Sequence, residues 1–328
     1  MYKEIRYLKG SYLILKKKYN VGVVVVTYNR KELLRECLEE IESQTYPVNK
    51  IFIIDNNSTD GTFELLKNTF LKDKNIVYKR LDENIGGAGG FYEGIKLAME
   101  SNENFDFLWI MDDDTIPYKD SLETLIEGYD EQDRVSYLAS CVRGEKNEPM
   151  NVPVIDDTRT ANGYSDWYFK LRDKKIKIKT ATFVSILITI NAIKKVGLPC
   201  KNFYIWGDDT EYTTRLTSNY GNAYMIGNSW VSHKRKNAQA LSIMTEVNKD
   251  RIDNYFYHYR NNMIVTGLYA KNSVYTRFAK NILQAFKVLN IKYGRKKSFI
   301  ILKGTFIGFK EIKTYKKYII RERKRYRE

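Results

Sequence analysis

Three consecutive aspartates at the end of an apolar run are the residues of this sequence best suited to chemistry. The stretch FLWIMDDDTIP, residues 107–117, begins like a buried strand and ends in Asp112, Asp113 and Asp114. Adjacent carboxylates repel one another, and their burial is costly unless a cation is bound. Asp112 and Asp114 could share Mg²⁺ or Mn²⁺, which prefer oxygen ligands, so the pattern predicts a metal site. A solvated acidic turn is the alternative, because short DxD motifs recur by chance.

A second group of carboxylates lies in NFYIWGDDTEYTTRL, residues 202–216. An aromatic ring packs against the apolar face of a sugar, and a nearby carboxylate can take the proton of an attacking hydroxyl group. We therefore predict a sugar or acceptor site at Trp206 and Glu211, with a catalytic carboxylate at Asp208 or Asp209. If a helix begins near Asp208, the helix dipole would favour these carboxylates, and their role could be purely structural.

The chain has two histidines, and one of them could reach the aspartates from a later segment. His233, in NSWVSHKRKN, is predicted to complete the metal site, because imidazole is a common metal ligand. A lone histidine is more often a surface or core residue, which is the alternative here. His258, in NYFYHYRNN, has no comparable context and is interpreted as structural.

The glycine-rich stretch NIGGAGGFYEG begins at Asn84. It lacks the GK[ST] of a P-loop, and it follows two strand–helix units, so it is not the first turn of a dinucleotide-binding fold. Gly86 and Gly87 would let backbone N–H groups approach an anion or a sugar ring closely. A tight turn with no ligand is the alternative interpretation.

Strands and helical segments alternate between residues 21 and 114, which predicts an α/β fold: a doubly wound, mostly parallel, Rossmann-like sheet. Ligands of such sheets bind beyond the carboxyl ends of the strands. Four polar or glycine-rich segments follow predicted strand ends, so we expect them to meet at one edge of the sheet. They are Thr27–Arg30, Asp55–Ser58, Asn84–Gly90 and Asp112–Asp114.

Length and composition allow one large domain, or one domain with an appendage. The chain has 328 residues, 43% of them hydrophobic, and its longest apolar runs are far shorter than the roughly 20 residues of a spanning helix. The N-terminus lacks the apolar region and cleavage site of a secretory signal. Three cysteines form no CxxC pair, so we expect a soluble protein in a reducing compartment.

The formal net charge of +15 is concentrated at the C-terminus, where residues 251–328 carry 20 Lys or Arg and 4 Asp or Glu. Helical spacing in this part predicts amphipathic helices. We expect a basic extension at residues 1–20, an α/β domain at 21–245 and a basic helical region at 246–328. The basic region could face anionic lipid, nucleic acid or simply solvent.

The motifs TYNR, DNNSTDGT, NIGGAGGF, WIMDDD, WGDDTEY and SWVSH occur in this order between about residues 20 and 240. In this respect the chain resembles the inverting glycosyltransferases of family 2, which have the GT-A fold. The combination of GGAGGF, MDDD and W-x-DD-x-E-Y is most similar to the galactofuranosyltransferase branch, whose neighbours include bacterial rhamnosyltransferases.

The resemblance implies a role for each matching residue. It implies Mn²⁺ or Mg²⁺ on Asp112, Asp114 and His233, and Asp209 as the catalytic base. Asp208 stays open as the base, because the wider family has a Glu-Asp pair at this point. Trp206 is implied to lie near the acceptor or donor sugar. The residues implied to bind the donor are Thr27, Arg30, Asp55, Asn57, Asn84, Gly86, Gly87 and Asp113.

The resemblance also implies a reaction and a place for it. We expect transfer of galactofuranose from UDP-galactofuranose, or of rhamnose from dTDP-rhamnose, to a glycan or lipid-linked acceptor of a bacterial surface polysaccharide. The basic helices would hold a cytoplasmic enzyme at the inner, anionic face of the membrane. Two other classes are weighed against this: a sugar nucleotidyltransferase, whose glycine-rich loop after the first strand is absent here, and a nucleic-acid-binding protein, for which residues 1–250 supply no basic groove.

Overall fold

A computed structural model describes residues 5–8, 11–14, 17–235 and 241–326 of the chain. The predicted extension at residues 1–20 lies partly outside these ranges and contains two paired strands, β1 (Ile5–Leu8) and β2 (Ser11–Ile14). The strands that follow are β3 (Val21–Thr27), β4 (Lys50–Asp55), β5 (Ile76–Arg80), β6 (Phe107–Asp112), β7 (Thr115–Pro117), β8 (Val135–Arg143), β9 (Pro149–Met150), β10 (Val154–Ile155), β11 (Lys175–Thr180), β12 (Ile186–Thr189) and β13 (Asn222–His233). The helices among them are α1 (Lys31–Glu42), α2 (Thr62–Asn68), α3 (Gly86–Met99), α4 (Ser121–Glu127), α5 (Ile190–Val196) and α6 (Asp208–Asn219).

The main sheet has the strand order β10-β11-β13-β8-β12-β6-β3-β4-β5. Strands β5, β4, β3 and β6 are parallel to one another, and β13 is parallel to β8. Strand β12 is antiparallel to both β6 and β8, and β11 is antiparallel to β13. The predicted α/β fold with a mostly parallel sheet is therefore confirmed.

The valines of β3 show how the sheet is buried on both faces. Val24 and Val26 lie in one apolar core with the side chains of α3, α5 and α6. Val23 and Val25 point to the opposite face, where they join a second core with α1, α2 and α4. Because successive side chains of a strand alternate between faces, a continuous apolar strand needs helices on both sides. The helices cover the two faces of the sheet but not the carboxyl ends of its strands, and the loops meet at that edge.

Three further helices, α7 (Lys249–Tyr269), α8 (Val274–Lys287) and α9 (Gly294–Glu322), form the predicted C-terminal helical region. Ile252, Tyr255 and Ile301 share a core between them. The region also packs on the α/β domain, because the Tyr269 hydroxyl donates a 2.5 Å hydrogen bond to Glu211. Side chains from the two sides of the boundary proposed at residue 245 are therefore in contact. Among the described helices, none has the length and apolar content needed to cross a bilayer.

Candidate active site

Asp112, Asp114 and His233 meet at the carboxyl edge of the sheet. One ligand atom from each, two carboxylate oxygens and a ring nitrogen, can be chosen so that all lie within 4.8 Å of one another. Asp112 ends β6, and Asp114 lies in the turn that leads into β7. Strand β7 pairs with the end of β13, which places His233 opposite Thr115. Strand pairing therefore brings together residues that are 119 positions apart in the sequence.

Arg30 lies against the same carboxylates. One of its guanidinium nitrogens is 2.6 Å from Asp114 and 3.2 Å from Asp113. Burial nevertheless raises the pKa of Asp113 to about 6, since Arg30 offsets only part of the desolvation. Burial also opposes the ionisation of Asp114, but the hydrogen bond and charge of His233, together with Arg30, hold its pKa below the usual value. The cluster therefore carries a charged carboxylate beside less readily ionised ones.

The remaining carboxylate, Asp112, is the one of the three whose ionisation is opposed most strongly. Burial, and then the charges of Asp114 and Asp113, raise its pKa well above the usual range. A bound cation would stabilise its ionised form. Two carboxylate oxygens and an imidazole nitrogen are a donor set that Mn²⁺ and Mg²⁺ accept. The residues present therefore fit a divalent ion.

A cavity of about 310 Å³ adjoins the cluster and collects most of the predicted donor-binding residues. Gly86 has a left-handed φ of +75°, and a Cβ there would collide with the carbonyl group of Tyr204. Gly87, by contrast, has open space in front of its Cα. One glycine thus permits close packing, and the other leaves room in the cavity. The lining includes Thr27, Arg30, Asn84, Gly86, Gly87, Asp112 and Asp113 from the prediction, with Asn56, Tyr204 and Asn254 in addition.

Asp55 and Asn57, which the sequence predicts to bind the donor, do not line this cavity, whereas the residue between them does. Asp55 is buried and accepts hydrogen bonds from the Ser58 N–H and the Tyr78 hydroxyl. Asn57 is bonded to Arg80 and to the carbonyl oxygen of residue 82. Neither lines the small cavity, whereas Asn56 does and is only 2% exposed. No donor among the described residues reaches Oδ1 of Asn56, so this oxygen is available to a ligand.

A larger cavity of about 780 Å³ lies on the other side of Arg30 and reaches Asp114 and Trp206. Four further cationic side chains line it, and none of them is among the predicted site residues. Arg235 is half-buried, and burial followed by the charge of Arg251 lowers its pKa. A concentration of cations beside the three candidate metal ligands suits a phosphate group. The four are Lys31, Lys234, Arg235 and Arg251.

Asp208 and Asp209 begin α6, after Gly207 with φ +95°. Burial and the neighbouring Asp209 raise the pKa of Asp208 to about 8, and burial also raises that of Asp209. The charge of Asp208 also contributes to the raised pKa of Asp112, after burial and the nearer aspartates. Asp209 accepts a 2.6 Å hydrogen bond from the Thr210 N–H. Neither aspartate lines the two cavities, although the loop that precedes them lines both.

The prediction that Glu211 contacts a sugar is wrong. Its side chain is fully buried in an ion pair with Arg215, at 2.9 Å, and it also accepts the hydrogen bond from Tyr269. The Arg215 guanidinium donates further bonds to the carbonyl oxygens of Val196 and Leu198. Glu211 therefore joins α6 to neighbouring segments, which is the structural alternative that its place in a first helical turn had left open.

Trp206 lines the larger cavity, and its ring packs against Tyr255 and His258 of α7. Burial lowers the pKa of His258 to about 4, and its Nε2 lies 3.1 Å from the Asn262 amide. These contacts agree with the structural interpretation of His258. They also mean that the helical region builds one wall of the candidate site.

Comparison with known proteins supports a family assignment. A family model described as "Glycosyl transferase family 2" matches residues 22–194. Glycosyltransferase AglE of Haloferax volcanii is 26% identical over 200 residues, which are 60% of this chain and 61% of that protein. Galactofuranosyltransferase GlfT1 of Mycolicibacterium smegmatis is 33% identical over 219 residues, 60% of this chain and 65% of that protein. The matches span less than two thirds of either relative.

Solved structures agree on the fold. The crystal structure of GalNAc-T7 with UDP, GalNAc and Mn²⁺ aligns with a TM-score of 0.57 and 13% identity, covering 92% of this chain and 58% of that one. This likeness shows the fold alone, and it is the GT-A fold expected from the sequence.

Proposed function

The chain belongs to glycosyl transferase family 2, and we propose that it transfers a sugar from a nucleotide-sugar donor to a hydroxyl group, with inversion at the anomeric carbon. The observation that carries this proposal is the meeting of Asp112, Asp114 and His233 beside the glycine-lined cavity. We take UDP-galactofuranose as the first choice of donor and dTDP-rhamnose as the second. The acceptor is a glycan or a lipid-linked acceptor in bacterial surface polysaccharide synthesis.

Donor binding is assigned to the two adjoining cavities. A divalent ion held by Asp112, Asp114 and His233 would supply positive charge to the departing nucleoside diphosphate. Arg235 and Arg251 place further positive charge at the wall of the larger cavity. In the smaller cavity, Asn56 Oδ1 accepts a hydrogen bond from the donor, and Gly87 leaves room for it. The cations favour the diphosphate most when its charge develops.

The base is assigned to the carboxylate pair that begins α6. Asp209 takes the proton of the acceptor hydroxyl as that oxygen attacks the anomeric carbon, and Asp208 is the alternative. Burial raises the pKa of both residues, which makes either a stronger base than an exposed aspartate. The site then has its base at the α6 end and its cations at the β6 and β13 ends.

The exposed surface of the last two helices is assigned to the membrane. On α9, Phe299, Lys303, Phe306 and Lys310 follow one another at helical spacing, and the two phenylalanines are 63% and 48% exposed. On α8, Leu283 and Phe286 are 60% and 65% exposed and lie near Lys280 and Lys287. Exposed apolar groups among lysines suit an anionic lipid surface, where each lysine contributes roughly 1 kcal/mol. We call these eight residues the aromatic–lysine surface.

The proposal is tested by offering the full chain a panel of nucleotide sugars with Mn²⁺ or Mg²⁺ and measuring nucleoside diphosphate release. We expect UDP release from UDP-galactofuranose, and loss of this release when EDTA removes the metal. Full activity in EDTA would refute the metal assignment. No turnover of any donor with metal present would refute the transferase.

A further inference from the structure

The ring of His233 is held from two sides. Its Nε2 lies 3.1 Å from an oxygen of Asp114, and its Nδ1 lies 2.9 Å from Oδ1 of Asn151. We propose that Asn151 is a positioning residue that fixes the tautomer and orientation of His233, so that Nε2 faces the metal. This inference rests on the proposed function, because it takes His233 to be a metal ligand.

The amide oxygen of Asn151 determines which ring nitrogen of His233 carries the proton. Such an oxygen only accepts hydrogen bonds, so the proton of a neutral His233 ring must lie on Nδ1, and the lone pair lies on Nε2. Nε2 then faces a carboxylate oxygen of Asp114, which is also an acceptor. Two acceptors 3.1 Å apart need a proton or a metal ion between them. By accepting a hydrogen bond from Nδ1, Asn151 leaves Nε2 with the lone pair that a metal ion requires.

The backbone holds Asn151 where this contact can form. Asn151 directly follows β9 and has a left-handed φ of +47°, a conformation that asparagine tolerates better than most residues. Val142 of β8 pairs with Met150 on one side and with Val231 of β13 on the other. Strand β8 thus lies between β9 and β13 and fixes the distance between the segments that carry Asn151 and His233.

Partners of metal-bound imidazoles change metal affinity by roughly 10- to 100-fold when they are removed. His233 is only 6% exposed, so solvent has little access to replace a lost partner at Nδ1. Without Asn151, the ring could place its proton on Nε2 and donate it to Asp114. That arrangement pairs Nε2 with Asp114 and leaves the ring's lone pair on Nδ1, which does not face the metal site.

Two substitutions separate the amide from the backbone. Asn151→Gly removes the side chain and tolerates the left-handed φ, whereas Asn151→Asp keeps an acceptor oxygen at the same place. Mn²⁺ is titrated into the metal-free full chain, and its affinity is measured by calorimetry. We expect the glycine variant to bind Mn²⁺ about 10- to 100-fold more weakly and the aspartate variant to stay within about threefold of the unaltered protein. The Tm without metal should be similar in all three.

The tautomer itself is a readout that a merely structural role would not move. The chain has two histidines, so ¹⁵N-histidine labelling gives two imidazole signal sets, and a His258→Gln variant identifies those of His233. With Mg²⁺, we expect Nδ1 of His233 to be protonated in the unaltered protein, and both tautomers to be populated in the glycine variant.

A His233→Ala variant distinguishes the positioning role of Asn151 from the metal site itself. If this variant loses Mn²⁺ affinity while Asn151→Gly binds Mn²⁺ normally, the positioning role is overturned and the metal site stands. If His233→Ala binds Mn²⁺ as tightly as the unaltered protein, His233 is not a metal ligand, and the metal assignment within the proposed function fails; the transferase itself is decided by the turnover of nucleotide sugars.

Discussion

The side-chain amide of Asn261, on α7, donates a 2.7 Å hydrogen bond to the carbonyl oxygen of Trp206. The same nitrogen lies 3.0 Å and 3.2 Å from the carbonyl oxygens of Phe203 and Ile205. Two residues of this loop, Tyr204 and Trp206, have left-handed φ angles of +64° and +62°, which aromatic residues rarely adopt. One amide of the helical region thus fixes the loop that lines both cavities and leads into α6.

Asn261→Ala would leave three carbonyl groups without this donor. An unsatisfied buried group costs about 1–3 kcal/mol, so we expect the free energy of unfolding to fall by about 2–4 kcal/mol and turnover to fall with it. Denaturant unfolding measures the first, and diphosphate release the second. The control is Asn262→Ala, which removes the side-chain contact with His258. Equal stability of the two variants would contradict the role given to Asn261.

Asp209→Asn tests the base. The amide cannot accept the acceptor's proton, so we expect turnover to fall by at least 10²-fold while the thermal shift produced by UDP and Mn²⁺ persists. The matched variant is Asp208→Asn. Should Asp209→Asn turn over near the normal rate while Asp208→Asn is inactive, the role of base passes to Asp208.

Asp208→Asn has a second, pH-dependent consequence. Burial and Asp209 raise the pKa of Asp208 to about 8 in the folded protein, far above its value of about 4 in an unfolded chain. Folding therefore favours the protonated carboxyl group, and its contribution to stability is complete below pH 4 and lost as the pH rises through 8. Because asparagine is neutral at every pH, the variant should have a Tm several degrees higher at pH 9 and nearly unchanged at pH 4, both measured in EDTA. A difference in Tm that does not vary with pH would refute the raised pKa.

Gly86 and Gly87 make a matched pair. Alanine at residue 86 would adopt a left-handed φ, which costs about 1–2 kcal/mol, and its Cβ would also collide with Tyr204. Alanine at residue 87 meets no atom within 4 Å, but it projects into the smaller cavity. We expect a lower Tm for Gly86→Ala, and for Gly87→Ala a normal Tm with a raised KM for the donor. A normal KM in Gly87→Ala would place the donor elsewhere.

The membrane assignment is tested on the full chain, because α7 contributes to the site. Replacing Phe299 and Phe306 by glutamine should reduce flotation with anionic vesicles by about tenfold, since two exposed aromatic anchors of the aromatic–lysine surface are lost. The control makes the same glutamine replacements at Tyr164 and Phe169, which are 74% and 70% exposed and lie outside the last two helices. Equal flotation of the two double variants, or equal flotation on neutral and anionic vesicles, would contradict the assignment.

Local patterns in the sequence predicted the first half of the sheet, because β3, β4, β5 and β6 are short apolar runs separated by helical periodicity. Together with the family resemblance, they also predicted that His233 would join Asp112 and Asp114, and the three residues do meet. The patterns could not reveal Asn261 or Asn151, whose partners are set by packing between distant segments. Glu211 was misassigned because a carboxylate in a first helical turn looks alike whether it faces solvent or a buried arginine.

Arg235 and Asn56 were missed for another reason. Each is adjacent or close to a residue that the motifs singled out, and sequence alone does not say which neighbour faces the cavity. The side chain of Asp55 is hydrogen-bonded to Tyr78 and that of Asn57 to Arg80, so that Asn56, between them, is the one of the three that lines the cavity.

The most direct test of the central claim is calorimetric titration of UDP into the full chain, with Mn²⁺ and again with EDTA. If Asp112, Asp114 and His233 hold the ion that binds the donor's diphosphate, UDP should bind with Mn²⁺, and EDTA or His233→Ala should weaken binding at least tenfold. A single-stranded oligonucleotide should not compete with UDP. Equal UDP affinity in Mn²⁺ and in EDTA, or displacement of UDP by the oligonucleotide, would contradict the account.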